Sequence, residues 1–180
     1  MNRAIVVNLF GGPGSGKSTV ASYVFAELKF KGIDVELVSE YAKDKVWEGS
    51  TKVLENQIYV FGKQHHRLFR VENQVDVVVM DSPILLSSVY GEQETCSFHD
   101  IVHTTFDTFH NRNYFLKRTR HYREEGRMQT LEEAKGIDAD IKEVLSEYEY
   151  QVVNSTKKGG DSIVADIVKE LKELKKLAKK

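Results

Sequence analysis

Apolar and polar positions alternate along this chain in two distinct periods. Ala4–Phe10 is a short apolar run, rich in β-branched residues, that stops at glycines, and it predicts a buried strand. From Lys17 to Lys31 the spacing turns helical. Val20, Ala21, Val24, Phe25 and Leu28 share one face, and Gly32 closes the segment. Asp34–Val38 predicts a second strand, ending at Ser39-Glu40, and Thr51–Asn73 predicts a long helix. Val75–Met80 is a second fully apolar run, read as a buried strand, with Pro83 just past its end. Leu85–His110 is mixed and helical in its second half, and Tyr114–Leu116 reads as a short strand. Arg118–Thr130 is charged and aperiodic. Then follow a helix over Leu131–Tyr148, a strand over Tyr150–Val153 and an amphipathic helix over Ser162–Lys176, with Ile163, Ile167, Leu171 and Leu174 in one stripe.

Strands alternating with helices predict an α/β fold, a parallel sheet covered by helices on both faces. No internal repeat or low-complexity linker divides the 180 residues, so one domain spanning 1–180 is expected. The formal net charge of −1 argues against a dedicated polyanion binder, although a local basic groove stays open. A lone cysteine, Cys96, leaves no intrachain disulfide and suits a reducing compartment. No run approaches the roughly 18 apolar residues of a membrane helix, and the apolar run starts too early for a signal peptide. The expectation is a cytoplasmic protein with no membrane partner. Its oligomeric state has no signature in the sequence.

Gly11-Gly12-Pro13-Gly14-Ser15-Gly16-Lys17-Ser18 matches G-x-x-x-x-G-K-[ST] without a gap, with a strand running into it and a helix leaving it. Glycines let the backbone N–H groups point inward as an anion-binding nest, and the following helix adds its positive N-terminal end. The segment Gly11–Thr19 is therefore the expected binding site for ATP. The Lys17 ammonium reaches the β- and γ-phosphates and the Ser18 hydroxyl ligates Mg²⁺. Asp81 follows the buried strand Val75–Met80 directly, where a second carboxylate aimed at Mg²⁺ belongs. Its bland alternative is a turn residue of Asp81-Ser82-Pro83. Glu40 ends the second strand in the same layer, placed to act as general base or as orienter of an acceptor hydroxyl; the alternative is an acid that caps the next helix. Arg112, Lys117, Arg118, Arg120, Arg123 and Arg127 are opposed only by Glu124 and Glu125, and Gly126 offers a hinge. This segment, about 117–130, reads as an arginine-rich lid over the triphosphate, with Arg118, Arg123 and Arg127 as the candidate catalytic cations.

The loop Gly11–Ser18, the run Val38-Ser39-Glu40-Tyr41-Ala42-Lys43, the strand ending in Asp81 and the arginine-rich segment together resemble the nucleoside- and nucleotide-kinase group of P-loop proteins. The nearest resemblance is to the AAA-type domain of the ribosylnicotinamide kinases, over residues 3–155. The chain also resembles small phage-encoded ATPases. The resemblance implies a three-layer sandwich with a five-stranded parallel sheet in order 2-3-1-4-5. It further implies ATP as donor, Mg²⁺ as cofactor, and an acceptor hydroxyl or phosphate on a nucleoside-like molecule, with Glu40 near the acceptor and Asp81 near the metal. The basic residue after Glu-Tyr-Ala in that family is often arginine and here is Lys43.

Three function classes follow. The first is a kinase acting on a nucleoside or nucleoside monophosphate. The second is a kinase acting on a polynucleotide hydroxyl, at the 5′ end or on a modified base. The third is a nucleotide-dependent binding or switch ATPase. Asn154-Ser155-Thr156-Lys157 is not the Asn-Lys-x-Asp of guanine recognition. Trp47, Tyr59, Phe61 and Tyr90 are candidates to stack on an acceptor base or to fill the core. His99 and His103 have metal-compatible spacing without an evident third ligand. Lys63, His65, His66, Arg67 and Arg70 form a basic helix patch.

Overall fold

The computed structural model describes residues 3–119 and 130–177. In chain order the elements are β1 (Ile5–Phe10), α1 (Lys17–Phe30), β2 (Val35–Val38), α2 (Tyr41–Trp47), a 3₁₀ turn (Thr51–Glu55), α3 (Gln57–Phe69), β3 (Val77–Met80), α4 (Leu86–Tyr90), α5 (Cys96–Phe106), β4 (His110–Lys117), α6 (Leu131–Leu145), β5 (Tyr150–Asn154) and α7 (Lys157–Leu177). The five strands form one parallel sheet in the order β2-β3-β1-β4-β5, as predicted. Val7 of β1 lies opposite Val79 of β3 on one side and Arg112 of β4 on the other.

Side chains alternate across the sheet and so divide the core in two. Ile5, Val7 and Leu9 pack with Val20, Val24 and Leu28 of α1 and with Ile163 and Ile167 of α7. Val6 and Phe10 pack on the opposite face with Phe61 and Leu68 of α3, Phe98 and Phe106 of α5, and Ile141 of α6. Burying each such side chain contributes about 1.5–3 kcal/mol, and β1, covered on both faces, is buried throughout. The loop that follows β1 is thereby carried on a central strand buried on both faces. Among the described residues no helix is long and apolar enough to cross a membrane.

The structure corrects three element boundaries. The helix expected over Thr51–Asn73 begins only at Gln57, because the Asn56 side chain caps it by accepting the Tyr59 N–H at 3.0 Å, and a 3₁₀ turn precedes it. The last helix starts at Lys157, five residues before the expected Ser162. Its early glycines are required by close approach: a Cβ on Gly159 would stand 2.0 Å from the Asn154 carbonyl oxygen, and one on Gly160 2.5 Å from the Tyr23 ring. The fourth strand starts at His110, four residues before the expected Tyr114. Its first half carries two asparagines, Asn111 and Asn113, that turn inward. Asn8, 1% exposed on β1, donates through Nδ2 to Asn111 Oδ1 at 2.9 Å and to Asn113 Oδ1 at 3.0 Å. Asn111 in turn donates to the Phe106 carbonyl and Asn113 to that of Glu149, so the buried amides satisfy one another.

Candidate active site

Three neighbouring strands, β2, β3 and β1, end side by side, and each delivers one part of the site at its carboxyl end. From β1 comes the loop Gly11–Gly16. Gly14 and Gly16 take positive φ values of 71° and 94°, which lets the backbone curl into a nest before α1 begins. Lys17, the first residue of α1, folds back so that its Nζ donates to the Gly11 carbonyl at 2.6 Å and to that of Gly12 at 3.4 Å. The ammonium is thus held over the mouth of the nest. Ser18 follows on the first turn, and Ser15, buried inside the loop, has an Oγ with no hydrogen-bond partner.

From β3 comes Asp81. Its N–H donates to the Val38 carbonyl at 3.1 Å, continuing the β2–β3 ladder by one residue. The residue is 5% exposed, and its Oδ1 is buried with no protein partner. A buried carboxylate oxygen without a donor is costly unless a cation or water satisfies it. That observation fits Mg²⁺ shared between Asp81 and Ser18. Mg²⁺ characteristically takes one or two protein ligands and completes its shell with phosphate oxygens and water. No group of three His, Cys, Asp or Glu among the described residues is placed to hold a metal.

From β2 comes Glu40. It occupies the N-cap position of α2 with extended backbone, φ −68° and ψ 124°, but its side chain makes no capping hydrogen bond. Its carboxyl faces the same cleft as Lys17 and Asp81. Desolvation pushes its pKa above the ordinary carboxylate range, the Asp81 charge adds to that rise, and the Lys17 cation opposes it. Gln64, 4% exposed on α3, fixes the approach to this residue: it accepts the Tyr41 N–H at 2.9 Å and donates to the carbonyls of Ser39 and Ser82. One side chain thereby ties the ends of β2 and β3 together.

The structure also sorts the aromatic candidates and adds one residue that the sequence did not mark, Asp138. Tyr90, at the end of α4, has its phenol pushed well above its usual pKa by desolvation, with Glu40 and Asp138 as the charges that raise it further. The Glu40 charge acts on its phenol, although 42% of the residue remains exposed. Phe61 is core, edge-on to Phe98 at 5.9 Å; Tyr59 contacts Tyr41 at 6.0 Å; and Trp47 is 81% exposed. Asp138 of α6 was not expected at all. Its Oδ1 accepts the Gly12 N–H at 2.7 Å and its Oδ2 pairs with Arg118 Nη1 at 2.5 Å. No local pattern marks that aspartate; the one available hint was the second glycine of the loop, Gly12.

Arg118 is bound at the flank of the loop, donating through Nη2 to the Pro13 carbonyl at 3.0 Å. Arg120, Arg123 and Arg127, and with them nearly all of the expected lid, lie outside the described residues. His103 donates to or accepts from the Tyr148 hydroxyl at 2.8 Å, and His65 packs among Phe61, Phe69 and Phe109.

Comparison with known proteins agrees with this architecture. The APS kinase CysC of Mycobacterium tuberculosis in complex with AMPPNP and APS superposes with a TM-score of 0.53 at 16% identity, covering 94% of this chain and 99% of that one. A cysteine-to-alanine mutant of the same kinase gives a TM-score of 0.51 at the same identity and coverage. At that identity the likeness is one of fold, the P-loop kinase fold. No curated protein matches the sequence. The family described as AAA domain matches residues 6–161, from the second residue of β1 through the phosphate loop, Glu40, Asp81 and Asp138 to the first turns of α7, and the chain belongs to that family.

Proposed function

We propose that this protein is an ATP- and Mg²⁺-dependent kinase that transfers the γ-phosphoryl group to a nucleoside or a nucleoside monophosphate. The observation that carries the reading is the convergence of Lys17, Asp81 and Glu40 at the ends of three adjacent strands, with Asp81 Oδ1 buried and unpartnered. A carboxyl raised in pKa beside the phosphate loop suits an acceptor hydroxyl that must give up a proton. A solved structure of the same fold with AMPPNP and APS supports a nucleotide donor here.

In the reaction the acceptor oxygen forms a bond to the γ-phosphorus while the bond to the β,γ-bridging oxygen breaks, releasing ADP. Lys17 and the loop amides balance the charge on the phosphates. Glu40 orients the acceptor hydroxyl and takes its proton. Ser18 and Asp81 would hold Mg²⁺, which when bound neutralises charge on the β- and γ-oxygens. Arg123 and Arg127 are proposed as the lid cations. Tyr90 is proposed as a wall of the acceptor site beside Glu40.

A second reading, transfer to a polynucleotide hydroxyl, draws on the surface beside Glu40. Arg67 lies 5.3 Å and Lys45 5.4 Å from the Tyr41 ring, Lys63 lies 5.2 Å from that of Tyr59, and Trp47 is open to solvent nearby in sequence. His66, Arg67 and Arg70 border a cavity of about 320 Å³ with Ser39. Cations interleaved with aromatic rings suit a single strand. One experiment separates the readings: ADP release measured over a panel of nucleosides, nucleoside monophosphates and oligonucleotides with free 5′ ends. Release that depends on a small nucleoside supports the first, and labelled phosphate on the oligonucleotide supports the second. Hydrolysis at the same rate with and without every acceptor would refute both.

A further inference from the structure

The phosphate-binding loop is gripped from outside by a pair of opposite charges. Asp138 Oδ1 accepts the Gly12 N–H at 2.7 Å, and Oδ2 of the same carboxylate pairs with Arg118 Nη1 at 2.5 Å. Arg118 Nη2 donates to the Pro13 carbonyl at 3.0 Å and reaches the Ala134 carbonyl at 3.4 Å. Both side chains are largely withdrawn from water, at 13% and 18% exposure. The fit has no slack. A Cβ on Gly12 would come within 2.8 Å of the Ala134 carbonyl oxygen, 2.9 Å of Asp138 Oδ1 and 3.3 Å of Arg118 Nη2. So α6 and the residue just after β4 together hold the peptide Gly12-Pro13 by both its N–H and its C=O.

Charge explains why two residues are needed. A carboxylate hydrogen-bonded to an amide of this loop stands close to where a triphosphate would lie and repels it. Arg118 cancels that charge. We infer that Arg118 and Asp138 are positioning residues of the phosphate loop: Asp138 fixes the Gly12 amide, and Arg118 neutralises Asp138 while holding the Pro13 carbonyl, without touching the nucleotide. This rests on the proposed ATP-binding function and reassigns Arg118 from the lid to the loop's support.

The test is a rescue. In Arg118→Met the Asp138 carboxylate is left uncompensated beside the triphosphate, and ATP binding measured by calorimetry with Mg²⁺ weakens about tenfold or more. Adding Asp138→Asn keeps an oxygen for the Gly12 N–H and removes the charge, so the double variant recovers most of the lost affinity. An arginine that contacts ATP directly predicts the reverse, a double variant at least as weak as Arg118→Met, and that outcome overturns the inference. Arg118→Lys, which keeps the charge and loses the fork, falls between wild type and Arg118→Met and serves should Arg118→Met not fold. Wild-type protein that binds no ATP would instead refute the kinase reading itself, with this inference falling alongside it.

Discussion

Glu40 and Asp81 end adjacent strands and face one cleft, so the charge on Asp81 disfavours ionisation of Glu40, a carboxyl that desolvation has already made reluctant to ionise. Two consequences follow. As a general base Glu40 must be ionised, so the activity of the wild type falls on the acid side at a higher pH than an ordinary glutamate would produce. In Glu40→Gln the residual kcat/KM, about 10²–10⁴-fold lower, loses that acid limb. Stability runs the other way. Since the folded state raises this pKa, it binds more protons than the unfolded chain between the ordinary carboxylate pKa and that of Glu40, and stability declines as pH rises through that window. Glu40→Gln removes the decline. At neutral pH it is expected to melt higher than wild type. An inactive variant with a lower melting temperature would mean that Glu40 is structural.

Lys17 donates to two loop carbonyls, so its loss should disturb the nest as well as remove a cation. Lys17→Ala is expected to lower kcat by at least about 10²–10³-fold, the effect of deleting one preorganised charge-stabilising donor. The fold should survive, because the core residues that seat α1, among them Val20, Val24 and Leu28, lie further along the helix and keep their packing when Lys17 is shortened. Circular dichroism and steady-state ADP release check the two halves of this expectation separately.

The parts of this fold that were legible in the sequence are those whose surroundings are uniform. The strands β1 and β3 are buried on both faces, so Val6, Val7, Val78 and Val79 can all be apolar and the run is unmistakable. The loop Gly11–Ser18 carries its own chemistry. What could not be read depends on partners distant in sequence. Asn111 and Asn113 look like loop residues until Asn8 is placed opposite them, which happens only when β1 and β4 pair. Gly159 and Gly160 look like a break until Asn154 and Tyr23 crowd them. Asp138 is one acid among many on α6, and only the backbone of Gly12, 126 residues away, gives it a role.

The asparagine network is itself testable. Asn8→Ala deletes a donor shared by Asn111 and Asn113 and leaves both acceptors buried, a loss of about 1–3 kcal/mol. Asn8→Ala combined with Asn111→Ala and Asn113→Ala should lose less than the sum of the single changes, because residues in one hydrogen-bond network are not additive. Denaturant midpoints of the single and combined variants measure this directly. Additive losses would indicate that the three amides act independently.

The unpartnered oxygen of Asp81 gives the metal reading its own prediction. Asp81→Asn keeps the size and the backbone bond to Val38 but removes the negative charge. If Asp81 steadies Mg²⁺ together with Ser18, the Mg²⁺ concentration for half-maximal activity should rise about 10–100-fold, the usual cost of losing a supporting ligand. The KM for ATP at saturating Mg²⁺ should change far less, because the loop amides and Lys17 still hold the phosphates. Chelation of Mg²⁺ should abolish turnover in wild type and variant alike. Desolvation is the main cause of the raised Glu40 pKa, and the same substitution removes the Asp81 charge that adds to it, so the acid limb of the profile should move to lower pH. A variant with an unchanged Mg²⁺ requirement and a shifted acid limb would confine Asp81 to the electrostatics of Glu40. A changed requirement with an unmoved limb would separate the metal from the base.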